Sequence, residues 1–228
     1  MGSESGTECT AAEPHDRVDE AVRAARFSSR RRQLLDAAVR VMERTGYHRM
    51  SMQSLADEAR VSVGLIYTYF GGKQDVLLAT VIDILEAFRD RLEPAMTAAG
   101  DDPIDRFVAG FRRYAEIIDE NRDAALLTYR ESRTLTAEGR ARIKELEVTT
   151  SAPLRSALVE AVDAGVIAEC DVDLVTYDAL LLAHGWALKH WRFGGRFGVD
   201  QYARAQLRLL LGGLIVPEQR DRYARLLA

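Results

Sequence analysis

Residues 51–73 read SMQSLADEARVSVGLIYTYFGGK, and this stretch decides the fold of the first third of the chain. Ser51 is a favourable N-cap, because its hydroxyl can accept a hydrogen bond from a free amide of the first helical turn. Apolar residues then follow at helical spacing as far as Ala59. Ser62 can cap a second helix, which the apolar spacing predicts from residue 63 to about residue 70. The stretch therefore predicts two short helices joined by a tight turn.

The second of these helices has an outward face that carries unusual residues. Its apolar positions leave Gly64, Tyr67 and Thr68 toward solvent. A glycine in the first turn and an exposed aromatic ring indicate close approach to a partner. In a helix-turn-helix that partner is the major groove of DNA, which the second helix enters. The alternative is an ordinary helical hairpin with a solvated tyrosine.

The motifs around this stretch extend from residue 30 to residue 78. An arginine-rich start, RRR, is followed by LLDAAVRVMERTGY, by SMQSLADEARVSVGLIYTYF and by GGKQDVL. Together they resemble the DNA-binding domain of TetR-family transcriptional regulators. The resemblance implies an all-helical homodimer that binds a palindromic operator in double-stranded DNA. It also implies that a small molecule entering a larger C-terminal domain releases the DNA.

The family motif assigns residues of this sequence to DNA contact. The resemblance implies that Tyr67 and Lys73 bind phosphates, and that Gln53 and Thr68 are the polar side chains best suited to bases. Arg49 and Lys73 flank the two reading helices as phosphate clamps. The full predicted set is Arg30, Arg49, Ser51, Met52, Gln53, Ser62, Val63, Gly64, Tyr67, Thr68, Tyr69 and Lys73.

Three positions depart from the common family pattern. Val63 stands where a lysine is frequent, Leu65 where a threonine is frequent, and Gly71-Gly72 where Pro-Ser is frequent. Direct polar readout is therefore expected to be thin. Contact with thymine methyl groups, or recognition of DNA shape, is expected to carry more of the specificity.

The charge distribution supports a DNA-binding segment within an acidic chain. The net charge is −4, but residues 23–73 contain ten Lys or Arg against four acids, which gives +6. Residues 1–22 contain six acids and one arginine, which gives −5. A basic block of this kind is the expected electrostatic footprint of a small DNA-binding domain on a larger body, although charge runs are usually only solvated faces.

The sequence predicts an all-α fold with three parts. Residues 1–25 are expected to be a disordered acidic tail, because their apolar content is low. Residues 26–73 are expected to form a three-helix helix-turn-helix domain, with the first helix running from about Ser28 to Thr45. The first-turn arginines of that helix would oppose its dipole, which phosphate contact would offset. Residues 74–228 are expected to form a larger helical domain for ligand binding and dimerisation.

Within that larger domain, apolar periodicity predicts five long helices. They start at Lys73, near Pro103, near Ala137, in the stretch DVDLVTYDALLLAHGWALKHWRFGG, and near Val199. The third is expected to end at about Ala164 and the last near Leu214. The first is expected to end at Pro94, and Pro153 is expected to kink the third. Exposed apolar faces on the last two long helices would make a large patch for a monomer, which favours a homodimer with a four-helix seam.

The last part of the chain, from DVDLV through HGWALKHWRFGG to LLLGGL, more loosely resembles TetR relatives that sense acyl-CoA thioesters. That resemblance implies an apolar pocket for the acyl group with basic side chains near its mouth for the phosphates. A drug or another hydrophobic metabolite, sensed to control an efflux or catabolic gene, is the alternative effector. Arg130 and Arg133 could equally belong to a surface ion-pair cluster. The predicted effector residues are Phe107, Phe111, Leu127, Tyr129, Arg130, Arg133, His184, Trp186, Lys189 and His190.

Several other classes of function are disfavoured by the sequence. No apolar run is long enough for a membrane span and the N-terminus has no signal-peptide core, so we expect a cytoplasmic protein without a membrane partner. His184 and His190 do not share a helix face, so no metal site is expected, and no cofactor is expected. A thioester-acting helical enzyme lacks a recognisable nucleophile motif, and Ser132 with His184 is not evidence of one. A helical interaction protein that ignores DNA sequence remains a further alternative.

Overall fold

The computed structural model describes residues 14–227, with side chains from Val22 onward. Within that range the chain is helical apart from turns and one isolated antiparallel bridge between Ile167 and Ile215. The predicted all-α class is confirmed. The helices are α1 (Pro14–Thr45), α2 (Met52–Ala59), α3 (Val63–Tyr67), α4 (Lys73–Ala98), α5 (Pro103–Glu120), α6 (Arg122–Glu131), α7 (Ala137–Asp163), α8 (Val172–Leu188), α9 (His190–Phe193), α10 (Val199–Leu214) and α11 (Ala224–Leu227).

The first apolar core, which we call the head, is formed by α1, α2, α3 and the first two turns of α4. Leu34, Met42, Leu55, Ile66 and Leu77 are completely buried in it. These side chains lie on one stripe of each helix, so the four elements exclude water by packing their apolar faces together. Most of the first core therefore comes from residues 34–80, and Leu127 and Leu135 from later in the chain are also buried in it.

Helix α1 begins much earlier than the sequence analysis predicted. It starts at Pro14 rather than near Ser28, while its end at Thr45 is confirmed. Residues 14–25 were expected in a disordered tail, but they contain several alanines and arginines, which have high helix propensity. The expected dipole penalty on the arginines at 30–32 is also wrong, because these residues lie in the middle of the helix. Residues 1–13 of the predicted tail lie outside the described residues.

Capping residues fix the helix-turn-helix as predicted. The Ser51 and Ser62 hydroxyls accept hydrogen bonds from the amides of Ser54 and Leu65 at 3.0 and 3.2 Å. Between the helices, Arg60 adopts a left-handed conformation with φ of 55° and ends α2. Helix α3 ends at Tyr67, earlier than the predicted residue 70, because the chain turns there to bury the Phe70 ring.

Helix α4 connects the head to a second core, which we call the body. It continues through Pro94 to Ala98, so the predicted end at Pro94 is wrong. Its first turns place Val76 and Leu77 in the head core, whereas Phe88 and Leu92 lie in the body core. One rigid helix therefore contributes to both cores.

Helix α5 is the centre of the body. It packs against α4, α7, α8 and α10, and its apolar residues are buried along its whole length. Gly110 permits the close approach, because a β-carbon there would lie 2.7 Å from Leu154 on α7 and 2.8 Å from Met96 on α4. Asp102 caps the helix directly before Pro103, as the sequence predicts.

The remaining long helices follow the predicted boundaries closely. Helix α7 runs through Pro153 without ending, and Gly165 after it has a φ of 64°. Helix α8 ends at Leu188 and is followed by the short α9, which divides the predicted apolar helix into two. Helix α10 has the predicted bounds. No helix among residues 14–227 combines the length and apolar character that crossing a bilayer requires.

Candidate DNA-binding face and effector cavity

The outward face of α3 has the exposure that the sequence predicts. Gly64, Tyr67 and Thr68 are exposed, with 54% of the Tyr67 surface accessible, whereas Ile66 is completely buried. A β-carbon at Gly64 would meet no atom within 4 Å, so the backbone there is open to a partner. The accessible phenol can donate to a phosphate oxygen or approach a base edge.

Lys73 is held at the edge of this face. Its ammonium donates to the carbonyl oxygen of His48 at 3.1 Å and lies 4.8 Å from the centre of the Tyr47 ring. An ammonium carries three N–H donors, so others are available to a phosphate after this contact. The cation is therefore positioned in advance rather than ordered on binding.

Several predicted DNA contacts are made partly unavailable by neighbours. The Gln53 amide donates to Asp57 at 2.8 Å, and the Thr68 hydroxyl donates to the Leu65 carbonyl at 2.6 Å. The Tyr69 ring stacks on the Phe27 ring at 4.4 Å instead of facing outward.

Other residues predicted to contact DNA also make contacts within the head. Met52 and Val63 are half-buried against the head core. Arg49 is exposed, and its guanidinium donates to the Thr45 carbonyl. Arg30 is exposed and bonds Gln33. Ser51 and Ser62 act as caps, so their hydroxyl oxygens accept from backbone amides, which leaves each O–H group able to donate.

Ion pairs tie α1 to α2 and α4. Arg40 and Arg44 each lie 2.9 Å from the Glu58 carboxylate, and these hydrogen bonds lower the pKa of Glu58. Arg32 lies 3.2 Å from Asp83 on α4 and Arg31 lies at 4.0 Å. Burial nevertheless raises the pKa of Asp83 against the pull of these two arginines. The arginines at 31 and 32 therefore contact α4 in this structure.

A cavity of about 210 Å³ lies in the body between α4, α5, α6, α7 and α8. Its walls are largely apolar, and helix α4 supplies the largest share of them. The apolar lining residues are Val81, Ile84, Leu85, Phe88, Ile118, Ala125 and Ile143.

Polar groups are gathered at one part of the cavity lining. The Tyr114 hydroxyl and the His184 Nε2 atom lie 2.7 Å apart, and the Tyr114 ring stacks on Phe88 at 3.9 Å. Tyr129 approaches His184 edge-on with ring centres 5.5 Å apart. Glu147 also lines this region. The polar lining residues are Tyr114, Thr128, Tyr129, Ser132, Glu147 and His184.

Burial determines the protonation of these groups. It lowers the pKa of His184 to about 4, so the imidazole is neutral at neutral pH. Burial also raises the pKa of Glu147 and, together with the charge of Glu147, raises that of Tyr129. The buried Nδ1 atom of His184 has no hydrogen-bond partner among the described residues. A ligand with a polar group could satisfy that atom, because an unsatisfied buried nitrogen is costly.

The structure brings two of the predicted effector residues, Tyr129 and His184, to this cavity. Phe107 and Phe111 are buried in the body core but do not line it. Leu127 packs into the head core. The remaining predicted residues lie outside the lining: Arg130, Arg133, Trp186, Lys189 and His190.

Trp186 and His190 belong to a separate polar cluster between α5 and α8. The Trp186 indole donates to Asp119 at 2.7 Å, and Arg122 lies 3.1 Å from the same carboxylate. Arg122 also lies 2.9 Å from the His190 Nε2 atom. Trp186 follows His184 by two residues, or about 200° around a helix, so the two side chains point in different directions.

The sequence analysis missed most of the cavity lining. A usable signal was present in α7, where Glu147, Thr150 and Ser151 occupy the inward stripe between Ile143 and Leu154. Polar residues at core positions indicate a partner or a cavity.

A larger groove of about 710 Å³ lies on the surface of α5, α10 and α11. Its rim carries four arginines, and Arg112, Arg204 and Arg225 already pair with Asp200 or Asp105. No residue of α4 lines this groove, whereas four residues of α4 line the smaller cavity, so the smaller cavity is the better candidate effector site because it adjoins the helix that reaches the head.

Comparison with known proteins places the chain in a family. A model described as bacterial regulatory proteins, tetR family, matches residues 34–80, and one described as tetracyclin repressor-like, C-terminal domain, matches residues 100–214. The HTH-type transcriptional regulator HbdR of Aromatoleum sp. (strain CIB) is 31% identical over 196 residues, covering 86% of this chain and 85% of that protein.

Two solved structures share the fold. The TetR family transcriptional regulator PfmR from Thermus thermophilus is 26% identical, with a TM-score of 0.70 over 79% of this chain and 97% of that one. AibR, solved in complex with isovaleryl coenzyme A and operator DNA, is 23% identical, with a TM-score of 0.68 over 80% of this chain and 98% of that one. With both family models matched and HbdR aligned over most of its length, this chain belongs to the TetR family of bacterial transcriptional regulators.

Proposed function

We propose that this protein is a ligand-responsive repressor that binds a palindromic operator as a homodimer and releases it when a small hydrophobic effector enters the body cavity. The proposal divides the chain into a DNA-binding domain, residues 26–73, and a ligand-binding and dimerisation domain, residues 74–228. Helix α4 crosses that boundary.

The observation that carries the proposal is the shared use of α4. Val76 and Leu77 belong to the head core, and Ile84 and Phe88, two to three turns later, line the cavity. A helix packed at both ends cannot adjust to a ligand at one end without moving the other, because packed cores are not continuously deformable. Ligand entry would thus shift the head.

Helix α6 provides a second connection. Thr128 and Tyr129 line the cavity, while the adjacent Leu127 is buried in the head core. The segment after α6 also reaches the head, because Leu135 is buried there and the Thr134 carbonyl accepts a hydrogen bond from Gln74 at 3.3 Å. A ligand that displaces Tyr129 would change these head contacts.

The chemistry of the cavity favours an effector with a compact apolar group and one hydrogen-bonding group. A dry cavity of about 150 Å³ can hold a benzene ring, so about 210 Å³ is suited to a short acyl or aromatic acyl group. The neutral imidazole of His184 can meet a carbonyl or hydroxyl without the cost of a buried charge. A short acyl-CoA thioester, with its nucleotide part outside the cavity, meets these requirements. AibR, which has the same fold, was solved with isovaleryl coenzyme A.

A homodimer is supported by an exposed apolar stripe on α8. Leu174, Tyr177 and Leu181 lie at i, i+3 and i+7 on one helix face, and 60% of Leu174 and 58% of Leu181 are accessible. Leu209 on α10 is exposed to 73%. Two copies of these helices can cover one another in a four-helix bundle, which would hold two heads at the spacing of two half-sites.

We infer that the cavity is a binding site and not a thioesterase site. His184 Nε2 pairs with the Tyr114 hydroxyl, and neither ring nitrogen bonds Ser132, so the serine lacks an activating base. Incubation with isovaleryl-CoA should release no free thiol.

The proposal is tested by electrophoretic mobility shift with DNA from upstream of the gene that encodes the protein. We expect a specific complex on a palindromic fragment and a weaker complex on a scrambled fragment of the same length. Failure to bind any palindromic fragment at low salt would contradict the proposal.

A further inference from the structure

The N-terminal half of α1 extends beyond the head core. The first buried side chain of the helix is Leu34, and every described residue from Val22 to Arg30 is exposed. This part of α1 therefore contributes no buried side chain to the core of the head, and its helical conformation depends on the helix propensity of its residues.

One aromatic contact fixes this extension against the recognition helix region. The Phe27 ring stacks on the Tyr69 ring with centres 4.4 Å apart and an angle of 24° between the planes. An open groove of about 820 Å³ lies beside this stack, and its lining includes Arg23, Arg26, Arg30 and Leu65. The extension and α3 thus form two walls of one surface.

Three arginines share the face of α1 that borders this groove. Arg23, Arg26 and Arg30 are spaced at i, i+3 and i+7, which places them within about 60° around the helix. Asp19 and Glu20 precede Arg23 by four and three residues, but no acidic residue occurs from 22 to 35, and no ion pair of these three arginines occurs within residues 22–227.

Arg31 and Arg32, which follow Arg30 in the same helix, have a different role from the groove-lining arginines. Arg31 and Arg32 approach Asp83 on α4 and so contribute to packing of the head. Arg30 and the two groove-lining arginines before it have no such acidic partner within residues 22–227. Among residues 22–35, the groove-facing side of the helix therefore carries positive charge next to α3.

We propose that the α1 extension binds the phosphate backbone of DNA flanking the half-site that α3 contacts. Arginine is suited to phosphate because its guanidinium forms paired, charge-assisted hydrogen bonds. Residues 23–30 rise about 10 Å along the helix, a length comparable to three phosphates of one strand along the DNA axis. The groove is continuous with the proposed DNA face, so the inference rests on the proposed function and extends its footprint.

The first test compares the salt dependence of DNA binding for wild-type protein and R23A/R26A. Each phosphate contact contributes about 0.9 to the slope of log affinity against log salt. Four contacts are lost from a dimer, so we expect the slope to fall by about 3 to 4, with equal losses on operator and scrambled DNA. The R23K/R26K variant keeps the charge and should retain most of the slope.

A matched control removes the same number of charges elsewhere. Arg89 and Arg142 are exposed arginines of α4 and α7 that each pair with a neighbouring acid on the same helix. The R89A/R142A variant should keep the wild-type slope. If the salt slope of R89A/R142A falls as much as that of R23A/R26A, the change results from net charge alone, and the inference is wrong.

The second test varies the length of DNA outside the operator. Trimming the flanks should weaken binding by wild-type protein but not by R23A/R26A, because the variant has already lost those contacts. Equal sensitivity of both proteins to trimming would contradict the inference.

A different occupant of the groove would give a distinct result. Residues 1–13 of the same chain contain three glutamates and no basic residue. If this segment occupied the groove instead, R23A/R26A would bind DNA as tightly as wild type or more tightly, and the inference would be overturned. Absence of DNA binding by wild-type protein would reject the proposed function and the inference together, whereas unchanged binding by R23A/R26A would reject the inference alone.

Discussion

The head and the body of this protein encode their binding surfaces in opposite ways. The centre of the proposed DNA-binding face comes from one continuous stretch, residues 51–73, in which caps, turn and exposed residues follow one another directly. The cavity takes its lining from residues between Val81 and His184 on five helices. A local surface can change by single substitutions in one segment, whereas a dispersed cavity depends on how whole helices pack.

This difference has a mechanical consequence. The head needs a fixed geometry to match the major groove, and its ion pairs and stacked rings supply one. Because α4 and α6 contribute to both the cavity and the head core, we expect a small displacement around a ligand to move the head as a rigid body. The two surfaces are therefore separable by mutation but coupled by structure.

The largest expected effect comes from separating the two subunits. In L174E/L181E, two carboxylates are introduced into the apolar stripe of α8, and the variant should sediment as a monomer. Operator affinity should fall by about a thousandfold, because the second half-site no longer benefits from tethering. The V148E variant, which changes an exposed apolar residue of α7, is the control. A monomeric L174E/L181E with wild-type operator affinity would show that dimerisation is not required.

Acid should destabilise the body through His184. Between pH 6.5 and about 4 the unfolded chain binds a proton at this imidazole that the folded protein does not, so stability is lost as pH falls through that window. The loss should reach roughly 3 kcal/mol at pH 4. It is measured as the difference in denaturant unfolding between wild type and H184Q at each pH. A difference between wild type and H184Q that does not change with pH would refute the assignment.

Filling the cavity should remove the ligand response and leave the head intact. In I84F a ring replaces a smaller side chain on the α4 wall. The added atoms occupy only part of the cavity of about 210 Å³, so α4 need not move and operator affinity should be kept. Effector affinity should fall at least about tenfold, because the ring takes the space that the effector requires. Effector binding is measured by calorimetry and operator binding by fluorescence anisotropy. V148F adds an apolar ring outside the cavity and serves as the control. Undiminished effector binding by I84F would place the effector elsewhere.

The smallest effect is expected for one phosphate contact in the head. K73A should weaken operator and scrambled DNA equally, by about tenfold or less, and should lower the salt slope by about 2 for a dimer. K144A removes an exposed lysine from α7 and should change neither quantity. An unchanged slope for K73A would show that Lys73 serves only its contacts with His48 and Tyr47.

The success of the sequence analysis follows the same division between local and dispersed features. Both serine caps, the exposed Tyr67 and the bounds of α10 were predictable because each depends on neighbours within one or two turns. The start of α1 was missed because a low apolar content was taken to mean disorder, although a solvated helix can form from good helix formers.

The cavity was less predictable because its residues become neighbours only after packing. Periodicity identifies the inward face of a helix but not whether that face meets a wall or a void. Phe111 and Tyr114 are both buried on α5, but of these two only Tyr114 lines the cavity. Tyr114 faces His184 on α8, which the periodicity of α5 alone does not indicate. Arg130 and Arg133 were selected for their charge, and charge alone does not locate a side chain.

The central claim, that the cavity controls the DNA-binding face, is tested most directly by titrating a preformed complex. Fluorescently labelled operator bound to wild-type protein is titrated with isovaleryl-CoA while anisotropy is recorded, with I84F as the control. We expect wild-type protein to release the labelled operator at isovaleryl-CoA concentrations that saturate the cavity. We expect I84F to keep the operator bound at the same concentrations. If calorimetry shows that isovaleryl-CoA saturates the wild-type protein and operator affinity does not change, the claim that the cavity controls DNA binding is contradicted.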